Sequence, residues 1–438
     1  MTSDRPARAG KPAGGATRRT QAAPARRRAS ARIAGWTTAA ALAGLATLGT
    51  ALAPEARAQD GRPLRIGVIE DMSGVYADIT GAGSLLAAQM AVEDFGPTVL
   101  GRKIEILNGD HQNKADVGAS IARRWYDTEG VDMITGLGNS AVALAVRNIA
   151  RESKKIDIST SAGHNDLTGK ACSPTGFHWV YNTYAMAKTV STAAVKAGGD
   201  TTFFVAADYT FGTTLAKDGA RFTEEAGGKV LGTVRAPLNT SDYSSFILQA
   251  QASKAKNIAL AMAGTDLINF IKQAAEFNVT QQGQNLSSYV TFINDVHALG
   301  LKTTQGLYVA DAFYWDLDDQ TRAFSRRFYE RRKAMPNGMQ AGVYSAVKHY
   351  LTAVKAAGTT DGEKVAAKIR ELPVNDFFSK NVVVRIDGRA MRPFHLFQVK
   401  KPEQSKEPWD LFTPLQTLKA EDAFQPLTPS ECPLVTAR

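Results

Sequence analysis

The sequence predicts an α/β protein built from two lobes, each a parallel β-sheet flanked by helices. Short apolar runs alternate with helix-like amphipathic runs from residue 64 to residue 293, and repeated βα units build parallel sheets that are covered on both faces. The alternation restarts after residue 183, which indicates a second unit of the same design. The chain has 438 residues, which is enough for two domains of ordinary size.

The strand predictions rest on short apolar runs that are rich in aliphatic and β-branched residues. They lie at 64–69, 102–107, 131–135, 155–160, 201–207, 229–236, 257–263 and 287–293. Beyond residue 315 the pattern becomes helical, and apolar runs at 382–387 and 394–400 predict a short antiparallel pair. The chain from residue 400 is rich in proline and predicts an irregular C-terminal tail.

The first 58 residues have the pattern of a secretory signal. A segment rich in arginine precedes an uncharged stretch at 33–53, and Ala56 and Ala58 form a small-residue cleavage site before Gln59. This order of basic, apolar and cleavable regions predicts export to the periplasm. A membrane anchor is the alternative, and the sequence leaves open whether the general or the twin-arginine route is used.

The basic charge belongs mostly to this signal. The whole chain carries +10, of which residues 1–58 contribute +8, so the exported part carries +2. The remaining dense basic run, 326–333, alternates with aromatic residues and predicts a solvated helix face. Nucleic acid is therefore not an expected partner.

Two cysteines remain in the exported part, Cys172 and Cys432. In an exported protein such a pair predicts a disulfide, which would hold the C-terminal tail against the middle of the chain. Neither cysteine has a histidine at a spacing typical of metal ligands, and the six histidines are scattered singly. We expect no metal and no cofactor.

No catalytic motif of a serine hydrolase, a P-loop nucleotidase or a zinc protease is present in the sequence. The stretch ITGLGNSAVALAV, at 134–146, fits the dinucleotide-binding pattern G-x-G-x-x-A through Gly136, Gly138 and Ala141. Asp157 lies 21 residues after Gly136, near the distance expected for a ribose-binding acid. An exported dinucleotide-dependent oxidoreductase is therefore one hypothesis. It is weakened because the turn follows the third strand and Asp157 lies inside the fourth.

The same turn also suits a smaller ligand. The start of a helix offers free N–H groups and a positive dipole end, which suit a carboxylate as well as a pyrophosphate. An ordinary turn with Ser140 as helix cap is the alternative. Further polar loops follow other strands at 70–81, 159–169 and 207–212. Because ligands bind at the carboxyl ends of parallel strands, these loops predict one shared cleft without a nucleophile, which indicates binding rather than catalysis.

Four segments carry a family resemblance: RIGVIEDMSGVYADITGAGSLLAAQMAVEDF, GLGNSAVALAV, DISTSAGHNDLTG and AADYTFG. They resemble the periplasmic binding proteins of leucine, isoleucine and valine transport, over residues 64–399. The resemblance implies two Rossmann-like lobes with a three-crossover hinge, a monomer that closes on a small molecule, and delivery to the permease of an ABC transporter. It also implies that the protein is not an enzyme. A ligand sensor of the same fold remains the alternative.

The breaks in the βα pattern place the crossovers near 179–183, 312–315 and 375–380. The expected organisation is then a signal (1–58), a first lobe (59–181 with 313–378), a second lobe (182–312 with 379–399) and the tail (400–438).

The resemblance also suggests ligand-binding positions in both lobes. In the first lobe these are Asn139, Ser140, Ser161, Ala162, Gly163 and His164, and in the second Tyr209, Phe211, Asn294 and Asp295. Tyr76, with Tyr181 and Tyr184, could stack on a ligand ring.

The ligand class stays open at this stage because the sequence departs from the family pattern. His164 replaces a hydroxyl residue, Phe211 replaces a tyrosine, and Gly264 and Thr265 stand where amino acid binders carry aromatic residues. An amino acid, an aromatic or other organic acid, and an amide are the candidates.

Overall fold

The computed structural model describes residues 61–428 and 431–435, so the export signal predicted for residues 1–58 lies outside the described part of the chain. Among the described residues, no helix is both long and apolar enough to cross a membrane. The strands, in chain order, are β1 (Leu64–Glu70), β2 (Thr98–Val99), β3 (Arg102–Asp110), β4 (Met133–Gly136), β5 (Ile156–Ser159), β6 (Gly176–His178), β7 (Thr201–Ala207), β8 (Lys229–Ala236), β9 (Asn257–Ala261), β10 (Asn285–Ser288), β11 (Tyr308–Asp311), β12 (Val383–Val384), β13 (Ala390–Met391), β14 (Phe394–Val399) and β15 (Phe412–Leu418).

The helices alternate with these strands through most of the chain. They are α1 (Gly81–Phe95), α2 (Ala115–Asp127), α3 (Ser140–Glu152), α4 (Thr183–Lys196), α5 (Thr210–Glu225), α6 (Ser244–Ala252), α7 (Gly264–Glu276), α8 (Ile293–Leu299), α9 (Leu301–Thr304), α10 (Asp319–Arg332), α11 (Gly338–Ala357), α12 (Gly362–Glu371) and α13 (Ala420–Ala423). The α/β fold class predicted from the sequence is confirmed, with two separate parallel sheets.

The first lobe contains a six-stranded sheet in the order β2-β3-β1-β4-β5-β6, which is parallel except for the short β2. Successive residues of a strand point to opposite faces of the sheet, and β1 contributes core residues on both faces. Leu64, Ile66 and Val68 join the core formed with α1 and α11, whereas Ile69 joins the core formed with α2 and α3. A Cβ at Gly67 would lie 2.3 Å from the Trp125 ring, so this glycine makes room for the indole.

The second lobe contains a four-stranded parallel sheet in the order β10-β9-β7-β8. Its central strand β7 is buried on both faces, as expected for a parallel sheet between helices. Phe204 packs with residues of α4 and α5, and Val205 packs with residues of α6 and α7. This second sheet repeats the design of the first.

Two predictions for the C-terminal region are wrong. The runs at 382–387 and 394–400 do not pair with each other: β12 pairs with β13, while β14 lies between β11 and β15. The tail predicted to be irregular contributes the strand β15, whose Pro414 is tolerated because β15 is an edge strand. The run at 394–400 was misassigned because its partner β11 is distant in the chain, whereas β12 pairs with β13, a two-residue strand inside the segment predicted as a turn.

Covalent and polar contacts tie the tail and the β13 region to the first lobe. Cys172 and Cys432 form a disulfide with a Cα–Cα distance of 5.7 Å, which confirms the predicted pair. The buried guanidinium groups of Arg389 and Arg392 donate to the backbone carbonyls of residues 179–181. These carbonyls belong to the segment that leads from β6 into α4.

Candidate functional site

A small cavity lies where loops of the two lobes meet. Most of its lining comes from loops that follow β1, β4 and β5 in the first lobe and β7, β9 and β10 in the second. This is the position at which open parallel sheets bind ligands. The lining residues are Tyr76, Ile79, Thr80, Gly138, Ser140, Ser161, Ala162, Gly163, Tyr181, Tyr209, Phe211, Ala263, Val290, Phe292 and Met339.

Aromatic rings make up much of this lining. The Tyr76 and Tyr209 hydroxyls share a hydrogen bond of 2.8 Å, which joins the two lobes. Tyr181 donates to the carbonyl of Ser161 at 2.8 Å. Burial raises the pKa of all three tyrosines, so their hydroxyls stay protonated donors at neutral pH. The cavity wall is therefore apolar and aromatic, with hydroxyl groups at its edges.

The helix cap at the start of α3 is Asn139 rather than Ser140. The Asn139 side chain accepts hydrogen bonds from the N–H groups of Ala141 and Val142, at 2.9 and 3.3 Å. The Ser140 hydroxyl is buried and has no partner among the described residues. The Ser140 N–H, at the first helical position, has no intrahelical acceptor. These two donors lie at the positive end of α3, where they suit an anionic group.

A buried carboxyl group lies directly behind this corner of the cavity. Glu70 ends β1, is completely buried, and accepts hydrogen bonds from the Ser84 hydroxyl (2.9 Å), the Ser161 hydroxyl (2.7 Å) and the Gly138 N–H (2.8 Å). Burial raises the pKa of Glu70 to about 8. Glu70 is thus mostly uncharged at neutral pH.

The glycines of the G-x-G pattern make room for Glu70. Gly136 has φ of +90°, and a Cβ at that position would lie 2.8 Å from Glu70 Cδ. A Cβ at Gly138 would lie 2.6 Å from Glu70 Oε2. Asp157 is fully buried and bound to Arg147 at 2.7 Å, so it cannot serve a ribose. The dinucleotide hypothesis is therefore wrong, because the same pattern here serves internal packing.

The lobes also touch through backbone beside the cavity. The Thr265 N–H donates to the Val75 carbonyl at 3.0 Å. Gly264 has φ of +62°, and a Cβ there would lie 2.3 Å from the same carbonyl oxygen. The absence of a side chain at Gly264 is what lets the loop after β1 approach α7 this closely.

Several residues predicted for the site lie outside the cavity lining. The His164 ring accepts from the Asp166 N–H and contacts the Thr214 hydroxyl, at 3.2 and 3.1 Å. Asn294 accepts from Asn337 at 2.9 Å. Each of these side chains is occupied by other protein groups.

Asp295 and Asn139 also lie outside the lining, because both act as helix caps. Asp295 accepts from the Phe292 N–H at 2.8 Å, within the first turn of α8. The lining does include Tyr76, Ser140, Tyr209 and Phe211, as well as the segment 161–163.

The sequence prediction missed six lining residues, and it included one aromatic residue, Tyr184, that does not line the cavity. Tyr184 packs edge-on against Phe222, with ring centroids 4.8 Å apart, rather than lining the cavity. Val290 and Phe292 fall in a run read as strand interior, which instead forms the loop after β10. Ile79 and Thr80 lie in the loop 70–81, which the sequence placed at the cleft without singling them out, and nothing in the local sequence marked Ala263 or Met339.

Comparison with known proteins assigns the chain to a family. The family model described as periplasmic binding protein matches residues 63–406. The chain belongs to the periplasmic binding protein family. It is therefore a binding protein rather than an enzyme.

Solved structures of similar proteins support this assignment. A periplasmic binding protein from Burkholderia mallei is 48% identical, with a TM-score of 0.81 over 83% of this chain and 96% of that one. A branched chain amino acid ABC transporter periplasmic ligand-binding protein from Burkholderia xenovorans LB400 is 39% identical, with a TM-score of 0.73 over 83% of this chain and 97% of that one.

More distant relatives share the family or the fold. A Leu/Ile/Val-binding protein homolog of Brucella melitensis is 24% identical over 318 residues, which are 70% of this chain and 79% of the relative. An ABC transporter solute-binding protein from R. palustris, solved in complex with benzoate, is 20% identical, with a TM-score of 0.74 over 82% of this chain and 98% of that one. The predicted resemblance to the leucine-type binding proteins is confirmed.

Proposed function

We propose that this protein captures a small aromatic carboxylate in the cavity between its lobes and delivers it to the permease of an ABC uptake transporter. The observation that carries the ligand class is the unpartnered Ser140 hydroxyl. It is buried at the positive end of α3, in a cavity whose other walls are mostly rings and aliphatic groups. A carboxylate would accept from this hydroxyl and from the Ser140 N–H, while a ring would pack against the tyrosines.

The lining argues against an α-amino acid. The ammonium group of such a ligand needs an acceptor of negative charge, and no lining residue carries a charged side chain. The nearby acid of the second lobe, Asp266, accepts from the Asn239 N–H at 3.2 Å and does not line the cavity. Because an unpaired buried charge is costly, a ligand without an ammonium group fits better.

The names of two relatives favour the competing ligand class. The Burkholderia xenovorans and Brucella proteins are named for branched-chain amino acids, whereas the R. palustris protein was solved with benzoate. Calorimetric titration with benzoate, benzamide and leucine separates the classes. We expect benzoate to bind tightest, and tighter binding of leucine would refute the proposed class.

The role of Ser140 is tested by Ser140→Ala. Losing a hydrogen bond to a charged group costs roughly 1.5–3 kcal/mol, so benzoate affinity should fall about tenfold to a hundredfold. Ser325→Ala is the matched control, because its hydroxyl is also buried and unpartnered but lies in α10, outside the lining. If both variants bind benzoate as the wild type does, the anion end of the ligand lies elsewhere.

Delivery to a permease is tested in cells. Deletion of the gene should abolish high-affinity uptake of labelled benzoate, and the wild-type gene should restore it. Normal uptake in the deletion strain, with loss of a transcriptional response to benzoate, would support a sensor instead.

A further inference from the structure

We infer that Glu70 is a specificity-determining residue that must carry a proton when a carboxylate is bound in the cavity. The inference rests on the proposed function for the position of the ligand, and on the contacts of Glu70 for the mechanism. In this arrangement the proton on Glu70 turns the Ser161 hydroxyl into a donor for the ligand. No other residue needs to change its charge.

The position of Glu70 leaves little room for a second negative charge nearby. Two of its three hydrogen-bond donors, Gly138 and Ser161, belong to residues that line the cavity. A carboxylate held by Ser140 would therefore be separated from Glu70 by a single layer of residues. Two carboxylates that share a buried site cannot both stay ionised without a large cost, so one takes up a proton.

Within the part of the chain that the structure describes, no cation offsets the charge of Glu70. Among the described residues, no lysine, arginine or histidine side chain forms an ion pair or a hydrogen bond with it. Its neighbour Asp71 is a second buried carboxyl group, which accepts from the N–H groups of Gly74 and Tyr76 at 2.7 and 2.9 Å. Burial, assisted by Asp71, already raises the pKa of Glu70 to about 8.

Four titratable groups around Glu70 keep their state in the range tested. Asp110, the register partner of Glu70 on β3, has a lowered pKa because hydrogen bonds to its carboxylate outweigh its burial. The backbone N–H of His111 donates to the Glu70 carbonyl, and burial lowers the pKa of the His111 ring to about 4. His178, behind Ala162, has its pKa lowered by burial, and Tyr181 has its pKa raised by burial.

A fifth titratable group, Asp311, interacts electrostatically with Tyr181 and accepts from the Gly338 N–H at 3.2 Å, and burial raises its pKa to about 7. The Glu70→Gln variant below separates its titration from that of Glu70.

The hydrogen bond between Glu70 and Ser161 carries the effect to the ligand. When Glu70 is ionised, the Ser161 hydroxyl donates its hydrogen to Glu70 Oε1 over 2.7 Å. When a proton from solvent occupies Oε1, this oxygen becomes the donor and Ser161 Oγ the acceptor. The Ser161 hydrogen is then free to turn to another acceptor, which is the Thr160 hydroxyl at 3.1 Å in the structure as it stands and a carboxylate oxygen when the ligand is bound. The ligand gains a donor, and the second buried charge is removed.

The test is the pH dependence of binding, measured by calorimetry between pH 6 and pH 9 with benzoate and with benzamide. If only the protonated protein binds the anion, apparent affinity follows the protonated fraction. Wild-type affinity for benzoate should be constant from pH 6 to pH 7 and then fall about tenfold by pH 9. Buffers of different ionisation enthalpy should show net proton uptake near pH 8. Benzamide should show neither effect.

Two variants identify the group responsible. Glu70→Gln carries a permanent amide donor, so the ratio of benzoate affinities at pH 7 and pH 9 should approach one. Ser84→Ala removes a donor that favours the ionised carboxylate, so the fall in affinity should move to higher pH. A wild-type affinity that is independent of pH, or that rises with pH, would overturn the inference, as would an unchanged pH dependence in Glu70→Gln.

Failure of the ligand class can be told apart from failure of the inference. If leucine binds and benzoate does not, the aromatic-acid proposal fails, and the same pH series with leucine decides on Glu70, because leucine also brings a carboxylate. Infrared difference spectra of wild type minus Glu70→Gln give a reading without ligand. A protonated carboxyl band at pH 6 is expected, and an ionised Glu70 at that pH would overturn the inference.

Discussion

Replacing Gly264 by alanine should weaken ligand binding by blocking the contact between the lobes. The new Cβ would lie 2.3 Å from the Val75 carbonyl oxygen and 3.0 Å from the Tyr76 ring. It would also remove the geometry for the 3.0 Å hydrogen bond from Thr265 to Val75. Both effects arise only when the lobes touch. They should therefore lower ligand affinity more than they lower the stability of either lobe.

The size of the effect follows from the two contacts. Overpacking costs about 1–3 kcal/mol and a lost hydrogen bond about 1 kcal/mol. Together they predict roughly 30-fold to 1,000-fold weaker binding of benzoate. A further cost of about 1–2 kcal/mol arises from placing alanine in the left-handed region, but it applies whether or not the lobes touch and cancels from the affinity.

Gly283→Ala is the matched control for this strain. Gly283 has φ of +91°, and a Cβ there would meet nothing within 4 Å. Both variants should lose similar thermal stability, whereas only Gly264→Ala should lose affinity in calorimetry. Small-angle scattering should show that saturating benzoate contracts the wild type and Gly283→Ala but not Gly264→Ala. Equal affinity and equal contraction in the two variants would refute the reasoning.

Three further predictions concern stability. Serine at both Cys172 and Cys432 should lower the free energy of unfolding by on the order of 5 kcal/mol, because the disulfide closes a loop with a sequence separation of 260, and denaturation with and without reductant measures this. Asp157→Asn should cost about 3–5 kcal/mol in urea denaturation, since Arg147 would keep a buried charge without its partner. The pKa of Glu70 is about 8 in the folded state, well above its value in the unfolded chain. Its contribution to the free energy of unfolding is therefore fully present below the unfolded-state pKa and is lost as pH rises through 8. Glu70→Gln should therefore gain stability over the wild type by up to about 5 kcal/mol between pH 4 and pH 9.

Each of these predictions has a contrary result. Free thiols in the denatured, unreduced protein would contradict the disulfide. Asp200→Asn breaks a half-exposed pair with Lys256 and should cost less than about 1 kcal/mol, so an equal loss in Asp157→Asn would show that burial of the Arg147 pair is unimportant. A stability difference between Glu70→Gln and wild type that does not grow with pH would mean that Glu70 is already ionised.

The sequence alone determined the features that depend on local pattern. Alternating strand-like and helix-like runs specified the α/β class and the repeat of the design in two lobes. The loops that follow strands placed Tyr76, Ser140, Tyr209, Phe211 and residues 161–163 near one cleft. This worked because the carboxyl ends of parallel strands meet at one edge of a sheet, whatever lies between them in the chain.

Tertiary structure decided everything that depends on which distant groups come into contact. The G-x-G pattern fits a dinucleotide site and a packing role equally well, and only the position of Glu70, 66 residues before Gly136, shows which applies. Asp157 looked available as a ribose partner until Arg147 was found beside it. In the same way, Asn294 and Asp295 follow a loop at the right distance, but the start of α8 and the N-terminus of α11 occupy their side chains. A local pattern determines where a residue lies on its strand, helix or loop. The hydrogen-bond partners of its side chain, and therefore its chemistry, are set by neighbours that are remote in sequence.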